Sequence, residues 1–283
     1  MGNKAITGET RIVGVIGNPV RHSLSPVIHN AAFDAMGLDW VSLAFPVADD
    51  GGPAAMAAMR TLDLRGLSVT MPHKATVVDA LDALAPSAQT LGVTNCIVAT
   101  DAGLIGHNSD GDGFVQSLHH KLDFDPADQS VAVLGAGGAA RSIVDALGRS
   151  GASDIAIVNR TASKATELSE LADVARVGAA DDIAGAALVI NTTSVGMSDV
   201  TDYPCDPALL SSGQAVVDII YNPDETPWLR AARERGAIGI NGVAMLVHQA
   251  AIALELWTGT APDLDAMFAA TEVELAARAT AHR

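Results

Sequence analysis

Short runs of aliphatic and β-branched residues alternate along this chain with longer Ala-rich stretches whose apolar positions recur at helical spacing. The runs suit strands buried on both faces, and the stretches can lay an apolar stripe on a sheet. The alternation therefore predicts βαβ units and a mainly parallel sheet. Strands are expected at 11–17 (RIVGVIG), 41–47 (VSLAFPV), 66–71 (GLSVTM) and 94–100 (TNCIVAT) in the first third. Later ones are expected at 131–135 (VAVLG), 154–159 (DIAIVN), 187–193 (ALVINTT) and 215–221 (AVVDIIY). PVIHNAAFDAMG reads as a helix with Ser25 as N-cap, Pro26 at the first helical position and Gly37 as its stop. HKATVVDALDAL predicts a helix whose first turn holds Lys74. After Tyr221 come a helix (WLRAARERG), a short strand (AIGING) and a long amphipathic helix (MLVHQAAIALELWTG) closed by Gly259.

At 283 residues the chain exceeds the usual size of one hydrophobic core, so two domains are expected. The polar, proline-containing segment KLDFDPADQS (121–130) is the best linker candidate, which puts a change of domain between residues 105 and 125. The last helix has no strand after it, so the tail is expected to pack back on the first domain.

Hydrophobic residues make up 49% of the chain but aromatic ones only 4%, so Ala, Val, Ile and Leu must build the core. A net charge of −16 opposes docking on nucleic-acid phosphates or an anionic bilayer, so any anionic ligand must be held by local groups. The two cysteines, Cys96 and Cys205, are too few for a disulfide framework or a four-ligand zinc site, and a reducing cytoplasm is the expected location. His22, His73, His107 and His248 lack nearby acids at metal-ligand spacing, so no metal is expected. The start, MGNKAITGET, has no apolar segment of the kind a secretory signal needs, and no membrane span is expected.

The chemistry begins at VAVLGAGGAARSIVDALGRSGASDIAIVNR, which reads as strand, glycine turn, helix and second strand. Gly135, Gly137 and Ala140 occupy the G-x-G-x-x-A fingerprint of a Rossmann-type dinucleotide site. They allow a tight turn, close backbone approach to a pyrophosphate, and close helix-to-strand packing. The helix from Gly138 offers its free N–H groups to the phosphates. An NAD site would place an acid about 20 residues after the glycines, to hold the ribose 2′-hydroxyl. This chain has Asn159, Arg160 and Thr161 there, followed by Lys164. A guanidinium, a hydroxyl and an ammonium favour a 2′-phosphate, hence NADP, the other reading being a solvated basic loop.

Lys74 sits where the positive end of a helix dipole disfavours a cation, which would ready its amine for proton exchange near neutral pH. Asp110 is the natural carboxylate to orient it. The competing readings are an exposed surface lysine and an N-cap for a helix starting near Gly113.

Taken in order, GNPVRHSLSP, GLSVTMPHK, GVTNC, HNSDGDGF, GAGGAAR, NRTASKA, INTTSVGM, IYNPDETPWL and GVAMLVHQAA resemble the shikimate dehydrogenase family, from about residue 11 to residue 258. The resemblance implies an α/β chain with an active site in the cleft between two domains. The substrate-binding catalytic domain would be discontinuous, 1–109 plus 242–283, and the Rossmann NADP-binding domain would span 110–241. It further implies NADPH-dependent reduction of 3-dehydroshikimate to shikimate, with Lys74 and Asp110 as the catalytic pair. Ser23, Ser25, Ser68, Thr70, Asn95, Tyr221 and Gln249 become substrate-binding candidates. Gly135, Ala136, Gly137, Gly138, Ala139, Asn159, Arg160, Thr161, Lys164, Thr193, Gly242 and Met245 become cofactor-binding candidates. Ser25 is equally explained as a helix cap, Gln249 as a polar residue of an amphipathic helix and Tyr221 as a core aromatic. Ser68 stands where many members have Asn, and Lys164 where many have Arg. The expected partner is a small molecule, not nucleic acid or membrane, and the expected assembly is a monomer or homodimer. A quinate/shikimate dehydrogenase with relaxed substrate or NAD use, and an NADP-binding sensor without turnover, are the alternatives.

Overall fold

A computed structural model describes residues 5–197 and 202–281; the start of the MGNKAITGET segment lies outside the described residues. The chain divides into two compact units, the second comprising Asp110–Leu246 and the first the segments on either side of it.

The first unit begins with β1 (Arg11–Gly17), α1 (Ser25–Ala35), β2 (Trp40–Pro46), α2 (Gly52–Thr61), β3 (Gly66–Val69) and α3 (His73–Thr76). It continues with β4 (Ala83–Leu84), α4 (Pro86–Gln89), β5 (Cys96–Thr100) and β6 (Gly103–His107). The six-stranded sheet has the order β2-β1-β3-β5-β6-β4. β1 runs parallel to β2 and β3, while β5 is antiparallel to β3 and β6. The antiparallel pairing of β5 with β6 follows from chain length, since the pairing closes at Thr100 opposite Gly103 and leaves no room for a crossover helix.

The second unit holds α5 (Asp110–Leu122), β7 (Ser130–Leu134), α6 (Gly138–Arg149), β8 (Asp154–Val158), α7 (Ala162–Ser169) and β9 (Ala175–Val177). After these come α8 (Ala180–Gly185), β10 (Leu188–Asn191), β11 (Ala215–Asp218), α9 (Pro227–Glu234) and β12 (Ile238–Ile240). All pairings in its sheet, ordered β12-β11-β10-β7-β8-β9, are parallel. Successive strand side chains alternate faces. Val131, Val133 and Ile190 pack with Phe114 of α5 and Ile143 of α6, while Ala132, Leu134 and Val189 pack with Trp228 and Leu229 of α9. β7 lies between β8 and β10, so the chain reverses its direction of winding there. In open α/β sheets, the crevice at the carboxyl ends of such strands is where ligands bind.

α10 (Val243–Thr258) and α11 (Leu264–Ala281) end the chain. The Trp257 indole N–H donates to the Ile97 carbonyl at 3.0 Å, its ring fills the space a Cβ on Gly66 would need, and α11 lies along α1. The tail thereby completes the first unit.

Four local expectations are corrected. α1 starts at Ser25 with Leu24 as its cap residue, so Ser25 is not the N-cap; its N–H instead donates to the Ser23 hydroxyl at 3.2 Å. The helix expected from residue 73 is a single turn followed by a 3-10 turn, and Ala83–Leu84 then pairs with β6. Tertiary pairing overrides helix propensity here, helped by Asp82, whose carboxylate accepts from the Leu104 N–H at 2.6 Å and from Arg60 at 2.7 Å. One turn carries no extended dipole, so the macrodipole argument for Lys74 loses its basis. KLDFDPADQS is not a linker but the loop from α5 to β7, tied to the segment before β8 by Asp128 N–H to Gly151 O and Ser153 N–H to Gln129 O, both 2.9 Å. α5 begins at Asp110 rather than near Gly113.

Candidate functional site

The turn after β7 is shaped by glycine twice over. Gly135 has φ +108°, and a Cβ on it would lie 2.7 Å from Thr192 Oγ1 and 2.9 Å from Thr193 Cγ2. Its N–H donates to the Val158 carbonyl at 2.9 Å, holding the turn against the end of β8. Gly137 is extended, with ψ −170°, and caps α6; Cβ atoms on Gly137 or Gly138 would meet nothing within 4 Å. Ala140 is fully buried beneath, while Ala136 and Ala139 are half-buried. The result is an open backbone ledge at the positive end of a twelve-residue helix, a cradle that fits a pyrophosphate.

β8 ends at Val158, and the Asn159 side-chain amide closes the next turn by donating to the Thr161 carbonyl at 2.9 Å. Thr161 is the cap residue of α7, and Arg160, Thr161 and Lys164 are exposed, so two cations and a hydroxyl are available where an NAD site would carry an acid. Thr193 follows β10. Its N–H and hydroxyl both donate to Asn191 Oδ1, at 3.0 and 2.7 Å, and its oxygen accepts from the Val195 N–H at 3.1 Å. Asn191 is fully buried and donates to Asp218 at 3.0 Å; burial pushes the Asp218 carboxyl upward from its ordinary range. Tyr221 is half-buried beyond β11. The Gly242 N–H donates to the Ile220 carbonyl at 3.0 Å, and Met245 packs into the core beside α5 and α6.

In the first unit, Ser68 is buried on β3 between Val15 and Cys96. Thr70 lies just beyond, its N–H on the Ile16 carbonyl at 3.0 Å and its methyl beside Gly17, where a Cβ would approach to 2.5 Å. Lys74 is half-buried on α3, and its carbonyl accepts from the Thr94 N–H at 2.9 Å, tying this turn to the residue before Asn95. Asn95 is buried. Its Oδ1 accepts from the Ser109 N–H at 2.7 Å, and its Nδ2 donates to Ser109 Oγ at 3.0 Å and Gln249 Oε1 at 3.4 Å. Ser109 in turn donates to the Gln249 carbonyl at 3.1 Å. Burial lowers the pKa of the half-buried His107, whose carbonyl receives the Asn95 N–H at 3.0 Å.

The candidates thus divide by unit. Ser23, Ser25, Ser68, Thr70, Lys74, Asn95 and Gln249 belong to the first, Asp110, Tyr221 and the cofactor candidates to the second. Hydrogen bonds join Ser23 to Ser25 and Asn95 to Gln249. Asp110 is buried at the head of α5, where Gly111 lets that helix lie on α6: a Cβ there would stand 2.2 Å from the Ser142 carbonyl oxygen. Arg149 of α6 bridges Asp112 at 2.7 Å and Asp145 at 3.0 Å. Three residues that sequence reasoning passed over, Ser109, Asn191 and Asp218, organise these groups. Each lies inside or beside a motif already singled out, HNSDGDG, INTTSVGM or AVVDIIY, and a polar residue in an otherwise apolar strand was the available signal for the last two. Among the described residues, no grouping of His, Cys, Asp and Glu could hold a metal ion, and no helix is long and apolar enough to cross a membrane.

Comparison with known proteins bears on both units. Residues 15–97 match the family model of the shikimate dehydrogenase substrate binding domain, 117–195 that of shikimate / quinate 5-dehydrogenase, and 242–270 that of the shikimate 5'-dehydrogenase C-terminal domain. The shikimate dehydrogenase (NADP(+)) of Geobacter metallireducens is 40% identical over 271 residues, covering 91% of this chain and 94% of the relative. The structure of shikimate 5-dehydrogenase from Thermus thermophilus in complex with NADP(H) and shikimate has a TM-score of 0.87 at 34% identity, over 93% of this chain and 98% of that one. Quinate dehydrogenase from Corynebacterium glutamicum in complex with NAD has a TM-score of 0.86 at 28% identity, over 93% and 99%. The chain belongs to the shikimate dehydrogenase family.

Proposed function

We propose that this chain catalyses the reversible, NADPH-dependent reduction of 3-dehydroshikimate to shikimate in aromatic amino acid biosynthesis. The observation that carries the reading is the open ledge at Gly137 and Gly138, followed at the end of β8 by Arg160 instead of an acid, in a member of this family. NADPH, when bound, supplies the hydride that reduces the ring ketone. Gly135 to Ala139 receive its pyrophosphate, and Asn159, Arg160, Thr161 and Lys164 its 2′-phosphate. Thr193, Gly242 and Met245 complete its binding.

Lys74 acts as the general acid, giving a proton to the alkoxide oxygen as it forms. Asp110 orients Lys74 and accepts a hydrogen bond from a ring hydroxyl. Ser23 and Ser25 bind the substrate carboxylate, and Ser68, Thr70, Asn95, Tyr221 and Gln249 hold the rest of the ring. The Asn95–Ser109–Gln249 cluster supports this assignment, because each side chain is oriented by the others before substrate arrives. We assign the working protein to the cytoplasm as a monomer or homodimer.

Shikimate-dependent reduction of NADP, followed by the absorbance of the reduced nicotinamide, is the deciding assay, with quinate and NAD in parallel. Turnover with shikimate and NADP is expected. Preference for quinate with NAD would replace this reading by a quinate dehydrogenase, and NADP binding without turnover would replace it by a sensor.

A further inference from the structure

We propose that Asp218 is a positioning residue for the cofactor: acting through Asn191, it fixes Thr193 and the turn after β10 against the glycine turn at Gly135. The inference rests on the reading above, in which that turn meets NADP.

Asp218 is fully buried, and its carboxylate is held by neutral donors. Oδ1 accepts from Asn191 Nδ2 at 3.0 Å and the Ile220 N–H at 3.2 Å, and Oδ2 from the Thr226 hydroxyl at 2.7 Å. These three donors offset the cost of burying the carboxylate, and an apolar residue of its size would leave them without that acceptor. What the carboxylate supplies is polarity. A carboxylate only accepts, so Asn191 must turn its NH2 toward it and its Oδ1 away. That oxygen then takes both the N–H and the hydroxyl of Thr193. With its proton committed, the Thr193 oxygen accepts from the Val195 N–H. The Asn191 NH2 also reaches the Val195 carbonyl at 3.4 Å, so the acid at the end of β11 and the turn after β10 hold this amide in one direction together. The turn so fixed is seated on the glycine loop, since the space for a Cβ at Gly135 is taken by Thr192 and Thr193.

Removing the carboxylate leaves the Asn191 NH2 only the Val195 carbonyl, at 3.4 Å, so the amide and the Thr193 hydroxyl it holds lose their fixed direction. Asp218→Ala is therefore expected to raise the Kd for NADPH, read from nicotinamide fluorescence without turnover, about tenfold. Asn191→Ala should weaken binding similarly, and the double variant no further, because both act through one path. Asp218→Asn, whose amide oxygen can still accept from Asn191 and from the Ile220 N–H, should recover most of the affinity. Shikimate binding measured by equilibrium dialysis should be unchanged in Asp218→Ala. A folded Asp218→Ala with wild-type NADPH affinity, or fully additive losses in the double variant, would overturn the proposal. Should Asp218→Ala fail to fold, Asn191→Ala decides: a tenfold loss with shikimate binding intact supports the chain of bonds, and wild-type affinity refutes it. If the wild-type protein binds no NADPH, the proposed function itself fails. If it does and these variants match it, only the role of Asp218 falls.

Discussion

Gly242 lies so close to Ile219 that a Cβ on it would stand 1.9 Å from the Ile219 carbonyl oxygen. The next carbonyl, of Ile220, accepts the Gly242 N–H at 3.0 Å, so the start of α10 is held against the end of β11 by backbone alone. With backbone as the neighbour, no side chain can move aside. Gly242→Ala should destabilise the protein by more than about 2 kcal/mol, read as a lowered urea midpoint. An unchanged midpoint would show that this approach is not required.

Gly137 and Gly135 separate binding from folding. A Cβ at Gly137 meets nothing and the backbone there has negative φ, so Gly137→Ala should unfold at the wild-type midpoint while binding NADPH at least tenfold more weakly. Gly135→Ala should lose stability as well, because its φ is +108° and its Cβ would crowd Thr192 and Thr193. Equal stability losses in the two variants would refute this division.

Lys74→Ala should lower kcat by about 10²- to 10⁴-fold, the usual range for a general acid, with a much smaller change in shikimate affinity. Near-normal turnover would remove Lys74 from the mechanism.

His29 makes the protein sensitive to acid. It is fully buried, its Nδ1 lies 2.9 Å from the Ser42 hydroxyl and its ring stands edge-on to Trp257, and burial lowers its pKa from 6.5 to about 3. Between those values the unfolded chain binds a proton that the native protein refuses. The stability it contributes is complete above pH 6.5 and falls as pH drops toward about 3, by about 1.4 kcal/mol per pH unit. Asp218, whose pKa is raised, has the opposite sign across its own window. Urea midpoints from neutral pH down to pH 4.5 should therefore fall less steeply in His29→Gln. An identical slope would assign the acid sensitivity to other groups.

Most strands were legible because their apolar runs are set by burial on both faces, a property of the residues themselves. The overreach came at strand ends. The expected strands ran on through Thr70, Thr193 and Tyr221, or began before Asn95, whereas the regular ladders stop at Val69, Asn191 and Asp218 and start at Cys96. These residues have strand-like composition but sit just past the pairing, where candidate ligand groups cluster. The glycine turn was readable because its sequence states its backbone demands. Ser109 and Asp218 were not singled out, since their roles arise from partners distant in sequence, Gln249 for the one and Asn191 for the other. The one-turn α3 was missed for the same reason: the pairing of Ala83 and Leu84 with β6 is invisible in HKATVVDALDAL.

The placement of α10 and α11 has a consequence for biosynthesis. The second unit is one uninterrupted stretch, so every partner it needs has left the ribosome once Leu246 has emerged. The first unit is made earlier but waits longest, because Trp257 must reach Ile97 and Arg278 must reach the carbonyl of His22 before its surface is covered. The part synthesised first is thus the part finished last, and a nascent chain stalled before residue 257 carries an open apolar face that chaperones would have to shield.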